Sequence, residues 1–299
     1  MKEYYSHGKL LLSGEYIVLR GAKALAIPCK VGQSLKFTPQ DTALLKWQSW
    51  DHNGQLWFSV IFSISDFEIL NTDTPEMANR LAQILKQIRL QKNTFLNEKG
   101  GTVATQLEFD RHWGLGSSST LISNLSQWSK TNPYLLLENS FGGSGYDIAC
   151  ATAKKPLVYQ ISNTVPEIEE VEFDPSFKSN LYFVNLNQKK NSSTAVQQFK
   201  NIVVSPEKVL QTSALTRQLI DAKTQSDFEL YMMQHETLLG EILGLKTIKE
   251  THFQNFQGAI KSLGAWGGDF ILASGNKNTP DYFKEKGFKV VVPYEEMVY

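Results

Sequence analysis

The sequence predicts an α+β protein in two lobes, on three observations. At 299 residues the chain is long enough for two domains of about 150 residues each. Its first half opens with strand-like runs and tight turns and then switches to helical periodicity, and the second half repeats that mixture. Between them, residues 162–180 are acidic and interrupted by proline, which places the lobes at 1–165 and 166–299.

In chain order, Leu10-Leu11-Leu12 reads as a strand before Ser13-Gly14-Glu15, and 16–19 as another before Arg20-Gly21. Runs 44–50 and 55–62 flank Asp51-His52-Asn53-Gly54, and Asn-Gly between two such runs is a hairpin signal. Over 75–90, Met77, Leu81, Ile84, Leu85 and Ile88 recur at helical spacing, with Pro75 suited to a first turn. Residues 102–109 form a strand leading into Trp113-Gly114-Leu115-Gly116-Ser117-Ser118-Ser119-Thr120, with a helix over 121–129. Gly142-Gly143-Ser144-Gly145 is a second glycine cluster, followed by a strand at 156–161. In the second half 181–186 is a strand. Ser226 with Glu229 fits a capping box before the apolar helical series Tyr231, Met232, His235, Leu238, Leu239 and Ile242. Strands return at 270–273 and 288–292.

Thirty Lys plus Arg balance thirty Asp plus Glu, and zero net charge argues against a nucleic-acid backbone as the main partner. The two cysteines, Cys29 and Cys150, make no disulfide framework, which fits a reducing cytoplasm. The opening residues carry no apolar signal-peptide core, and no run approaches the ~18 apolar residues of a membrane span, so a cytoplasmic protein without a membrane partner is expected.

Several familiar motifs fail on direct reading. Gly8-Lys9 has Glu3 where a P-loop needs its first glycine and Leu10 after the lysine. Dinucleotide fingerprints starting at Gly114 or Gly143 meet Ser119 or Ile148 where the third glycine belongs. A nucleophile elbow around Ser144 meets Tyr146, and His235-Glu236 lacks the second histidine of a zinc helix. What survives is the loop Gly114-Leu115-Gly116-Ser117-Ser118-Ser119, where glycines admit a bulky anion and successive N–H groups face it at a helix start. The same residues would also serve as an ordinary serine-rich helix cap. Asp147, on the second glycine turn, either accepts a proton from a substrate hydroxyl or caps the helix that follows. Gly264-Ala265-Trp266-Gly267-Gly268 precedes the strand at 270 either as a ligand loop or as a hairpin turn.

Taken in order, Lys9 with Gly14-Glu15-Tyr16, the Gly-Leu-Gly-Ser-Ser loop, Gly145-Tyr146-Asp147-Ile148-Ala149 and the late glycine loop resemble the GHMP superfamily of small-molecule kinases over about residues 5–275. The opening is most similar to that of the mevalonate and phosphomevalonate kinases, and Asn191-Ser192-Ser193-Thr194 is similar to their threonine-bearing segment. The resemblance implies a ribosomal protein S5 domain 2-like N-terminal lobe and a ferredoxin-like C-terminal lobe. It implies ATP and Mg²⁺ as cofactors and a small hydroxy acid, mevalonate first and 5-phosphomevalonate second, as acceptor. By the same resemblance, Gly114, Leu115, Gly116, Ser117, Ser118 and Ser119 would hold the ATP phosphates. Ser118 and Glu138 would face the metal, Asp147 and Lys9 would be catalytic, and Glu15, Tyr16 and Thr194 would lie toward the acceptor. The late loop would close over the phosphates. The chain departs from the family at His7, Trp113, Trp266 and Asp269, and an acidic Asp269 near a triphosphate would be repulsive unless turned away or on the metal. A catalytically silent ligand-binding relative is the alternative from another class, and the oligomeric state stays open between monomer and homodimer.

Overall fold

The computed structural model describes residues 1–188 and 192–299. Its first elements are β1 (Lys2–Leu11), a 3₁₀ turn (Ile17–Arg20), β2 (Ala24–Pro39), β3 (Leu44–Trp50), β4 (Leu56–Ser63) and β5 (Ile69–Thr72). Then come α1 (Pro75–Gln91), β6 (Gly101–Leu107), α2 (Ser117–Ser129), α3 (Pro133–Glu138), α4 (Tyr146–Thr152), β7 (Leu157–Ser162) and β8 (Val165–Glu170). After a short 3₁₀ turn, β9 (Leu181–Asn185) precedes α5 (Ser192–Lys200), α6 (Pro206–Asp221), α7 (Gln225–Leu243) and α8 (Ile248–His252). The chain finishes with β10 (Ala259–Ser262), β11 (Phe270–Ser274), α9 (Thr279–Glu285), β12 (Val291–Pro293) and α10 (Tyr294–Met297).

These elements form two compact units that interleave along the chain: 1–8, 31–111 and 115–152 in the first, and 9–30, 112–114 and 153–299 in the second. In the first unit the strands run β5-β4-β3-β6-β2. The β3–β4 hairpin forms because Asp51 Oδ1 accepts from both Asn53 N and Gln55 N at 2.9 Å while Gly54 takes a left-handed φ of 74°. α1 starts with Pro75 in its first turn and buries Leu81, Ile84, Leu85 and Ile88, the face its apolar spacing predicts. That face joins Trp47, Phe62, Val103, Leu125 and Trp128 in one core.

In the second unit the N-terminal part of β2 pairs with β7, and β7 with β8. A separate antiparallel sheet runs β10-β11-β9-β12. Counted from β9 as its first strand, that order is 4-1-3-2 with helices between the first and second strands and between the third and fourth, which is the ferredoxin-like arrangement expected for the C-terminal lobe. Its core is Val184, Ile260, Ile271, Phe253 and Phe283.

Local readings fail in three places. Residues 17–20 form a 3₁₀ turn, not a strand. The cap of α7 is Thr224, whose hydroxyl accepts from Asp227 N at 3.1 Å, so Ser226 lies inside the helix and Glu229 is not its capping partner. Residues 165–170, inside the proposed linker, pair along β7 as a strand.

Candidate functional site

Two left-handed glycines lead into the start of α2. Gly114 and Gly116 adopt left-handed φ of 67° and 87°, which residues with a Cβ adopt only under strain. Gly116 is the N-cap of α2, no side chain caps that turn, and no acidic residue lies in it. The first N–H groups of a helix have no intrahelical acceptor, and those of Ser117, Ser118 and Ser119 stand at the positive end of a thirteen-residue helix. Ser118 is exposed, and Ser119 is buried with its hydroxyl on Gly116 O at 2.8 Å.

A buried polar network that the sequence did not reveal fixes α2. Ser6 Oγ donates to Asn124 Oδ1 and lies 2.8 Å from Ser123 Oγ. Asn124 Nδ2 donates to Gln33 O at 2.9 Å, and Thr120 Oγ1 donates to Gln33 Oε1 at 2.7 Å. The only sequence signal was the density of Ser, Thr and Asn on α2, which reads equally as a solvated face. β1 also passes close beneath the loop: a Cβ at Gly8 would lie 3.0 Å from Val31 O and 3.3 Å from Leu115 O. Glycine before Lys9 is therefore a packing requirement.

Asp147 sits in the first turn of α4, half-buried, with Oδ1 accepting from Ile148 N at 3.2 Å. The preceding glycines at 142, 143 and 145 all have positive φ, which makes the sharp turn into the helix. α4 and α3 both pack on α2. Burial first, and then the negative charge of Asp147, push the Tyr134 hydroxyl above its ordinary pKa. Glu138 ends α3 and is exposed. Among the described residues no group of three or more His, Cys, Asp and Glu side chains is arranged to hold a metal ion.

In the second unit, Lys9 is half-buried and its Nζ donates to Gly114 O at 3.0 Å. Gly114 also meets Asp269: a Cβ at 114 would lie 2.1 Å from Asp269 Oδ2, so only glycine fits. Asp269 itself has φ 32°, unusual for a residue with a side chain, and its carbonyl accepts from Leu186 N at 2.8 Å. Thr194 is exposed on α5, while Asn191 lies outside the described residues.

Glu15 and Tyr16 lead into a buried cluster. Glu15 is 1% exposed; its Oε1 accepts from Lys261 Nζ, which also donates to Ser262 O at 2.9 Å. Glu15 Oε2 lies 3.7 Å from His235 Nε2 and has no hydrogen-bond partner. His235 Nε2 accepts from Gly14 N at 2.9 Å, which makes the imidazole neutral with its proton on Nδ1. Burial, and then the Lys261 charge, hold its pKa well below the usual histidine range. Glu236 accepts from Ser262 N at 3.0 Å and Ser262 Oγ at 2.8 Å, and burial pushes its carboxyl up to about 7. Glu15 is raised by burial too, against the opposing charge of Lys261. Tyr16 is half-buried, and its hydroxyl accepts from Trp266 N at 2.9 Å. Sequence reasoning missed Lys261; its one signal is a lone charge in the apolar run 259–263.

The fold these units define is that of the GHMP kinases, mixed α/β with two sheets. No family model matches the sequence, and neither does any curated protein. Solved structures do match. A mevalonate kinase from Methanococcus jannaschii superposes with a TM-score of 0.69 at 14% identity, over 97% of this chain and 96% of that one. A Streptococcus pneumoniae phosphomevalonate kinase, in complex with phosphomevalonate and AMPPNP, gives 0.67 at 18% identity over 97% and 99%. A Lactococcus lactis galactokinase complexed with galactose gives 0.66 at 13% identity over 95% and 88%.

Proposed function

We propose that the protein is an ATP-dependent kinase that phosphorylates a hydroxyl of a small hydroxy acid, with mevalonate as the acceptor. One observation carries this reading: the start of α2 is uncapped after two left-handed glycines, with Lys9 Nζ held on the carbonyl of the first. An ordinary serine cap would place a side-chain oxygen on those N–H groups, and the N-cap position here is Gly116, which has none. The fold shared with kinases of mevalonate, phosphomevalonate and galactose supports it.

ATP, when bound, supplies the γ-phosphoryl group and arrives with Mg²⁺. The N–H groups of Ser117, Ser118 and Ser119 would hold phosphate oxygens, and the Lys9 ammonium would offset the negative charge spread over the transferring group. Ser118 Oγ is the hydroxyl we assign to the metal, with Glu138 as the candidate second ligand. Asp147 orients the acceptor hydroxyl and takes its proton as the new O–P bond forms and the bond to the departing ADP breaks. Because the transition state is loose, positioning outweighs base strength in that role. Glu15 we assign to supporting the site from within, since it pairs with Lys261 away from solvent.

The test is ADP release with Mg·ATP and, separately, mevalonate, 5-phosphomevalonate, homoserine and galactose. Release with mevalonate supports the reading, and release only with 5-phosphomevalonate moves the acceptor. ATP binding without release on any of the four makes the chain a silent relative, and absence of ATP binding overturns the proposal.

A further inference from the structure

The loop at 264–268 ought to be loose by composition, since three of its five residues are glycine. Gly264 and Gly267 have φ of 66° and 67°, and within the loop Gly268 N donates to Ala265 O at 3.0 Å. Two contacts made outside the loop hold it. The backbone N–H of Trp266 donates to the Tyr16 hydroxyl at 2.9 Å. The Trp266 indole packs into a cluster with Ile17, Ala22, Phe199 and Leu239. The indole also lies against Gly240, where an added Cβ would sit at an ordinary contact distance of 3.8 Å from it.

Tyr16 is itself held hard. Its φ of 59° is a strained, left-handed value for a residue with a side chain, and such a value persists only where neighbours over-determine it. They do so here: Gly14 N is tied to His235, Glu15 to Lys261, and Val18 N to Gly14 O at 2.9 Å, while the Tyr16 ring lies 5.4 Å from that of Phe199. Glu15 and Tyr16, consecutive in sequence, thus fasten respectively to β10, before the loop, and to the loop itself.

We infer that Tyr16 is a positioning residue that latches the 264–268 loop through the Trp266 amide, and that Trp266 is its apolar anchor, so that the loop is set in place before an anionic ligand arrives. A preset loop spares the ordering cost that a glycine-rich segment would otherwise meet on binding. The latch itself stands on these contacts, and it rests on the kinase reading for the loop meeting a ligand and for that ligand being a nucleoside triphosphate.

Two measurements on the full-length protein test it. Amide hydrogen exchange over 264–268 should be slow in the parent protein and roughly fivefold to tenfold faster in Tyr16→Phe, which removes one hydrogen bond and keeps the ring. AMPPNP affinity, read by calorimetry, should weaken by a similar factor in Tyr16→Phe and further in Trp266→Gly, with recovery in Trp266→Phe. Parent-like exchange and affinity in Tyr16→Phe would overturn the latch. If Tyr16→Phe does not fold, Trp266→Gly against Trp266→Phe decides the same question. Failure of the parent protein to bind AMPPNP sinks the kinase reading alone, and the exchange measurement still decides the latch.

Discussion

The start of α2 and the cluster around Glu15 treat polar groups in opposite ways. At α2 the helix start carries no side-chain cap from Gly116, and the two glycines before it are left-handed. Around Glu15, a carboxylate, an ammonium, an imidazole and a second carboxyl are taken out of water, Glu15 paired with Lys261 and the other two held by Gly14 N and by Ser262. Open donors on a rigid frame are what a ligand needs, whereas paired charges in the interior hold a frame together. The contrast separates the proposed binding loop from its support more sharply than residue type does, since both regions are rich in groups that could serve either purpose.

The strongest way to break that division is at its chemical end. Asp147→Asn should lower turnover by roughly 10²–10⁴-fold while leaving AMPPNP affinity within about twofold, because it removes the proton acceptor and keeps the shape. Full activity in coupled ADP assays would remove Asp147 from the mechanism. On the support side, Lys261→Met leaves Glu15 buried without its cation and should cost about 3–5 kcal/mol in urea denaturation. A loss under ~1 kcal/mol would mean that Glu15 is protonated in the native protein.

Glu236 offers a test by pH. Its carboxyl is raised from an ordinary 4.5 to about 7, so between those values the unfolded chain has lost a proton that the native state keeps. Its contribution to stability is therefore complete below pH 4.5 and is lost as pH rises through about 7. Glu236→Gln should remove that loss, so its stability relative to the parent should climb between pH 5 and 7 by on the order of 3 kcal/mol and then level off. His235 acts in the reverse sense, because a depressed histidine pKa stabilises above the ordinary value and costs stability as pH falls below it. A flat difference between Glu236→Gln and the parent would place that carboxyl in contact with water. The smallest effect is expected from Gly114→Ala, about 1–3 kcal/mol from the left-handed backbone and the Asp269 contact. Asp269→Ala in the same chain should return part of it, as read by thermal melting.

What could be read from the sequence was local. The Asn53-Gly54 hairpin, α1 and the strands at 101–107, 157–162 and 270–274 follow from turn chemistry and periodicity over a few residues. The loop at 114–119 and the turn before Asp147 were visible for the same reason, because glycine marks a backbone demand wherever it falls. What escaped depends on distant partners. Residues 16–20 have a strand-like composition, but Gly14 and Glu15 are pinned by His235 and Lys261, and the chain turns there into a 3₁₀ helix. Thr224 and Ser226 are both acceptable caps, and no local rule decides between them. The inward face of α2 is polar because β1 and β2 bring Ser6 and Gln33 to meet it, a match that no stretch of α2 announces.

The same long-range pairing bears on how the molecule is made. Gly14 meets a partner 221 positions later and Glu15 one 246 positions later. During synthesis the glutamate must wait in water until its partner, 246 positions later, has emerged, and only then can it exchange hydration for its lysine. Closing so large a loop is slow. The last step of folding is thus expected to be the sealing of this ion pair, with a half-built second unit as the species that precedes it.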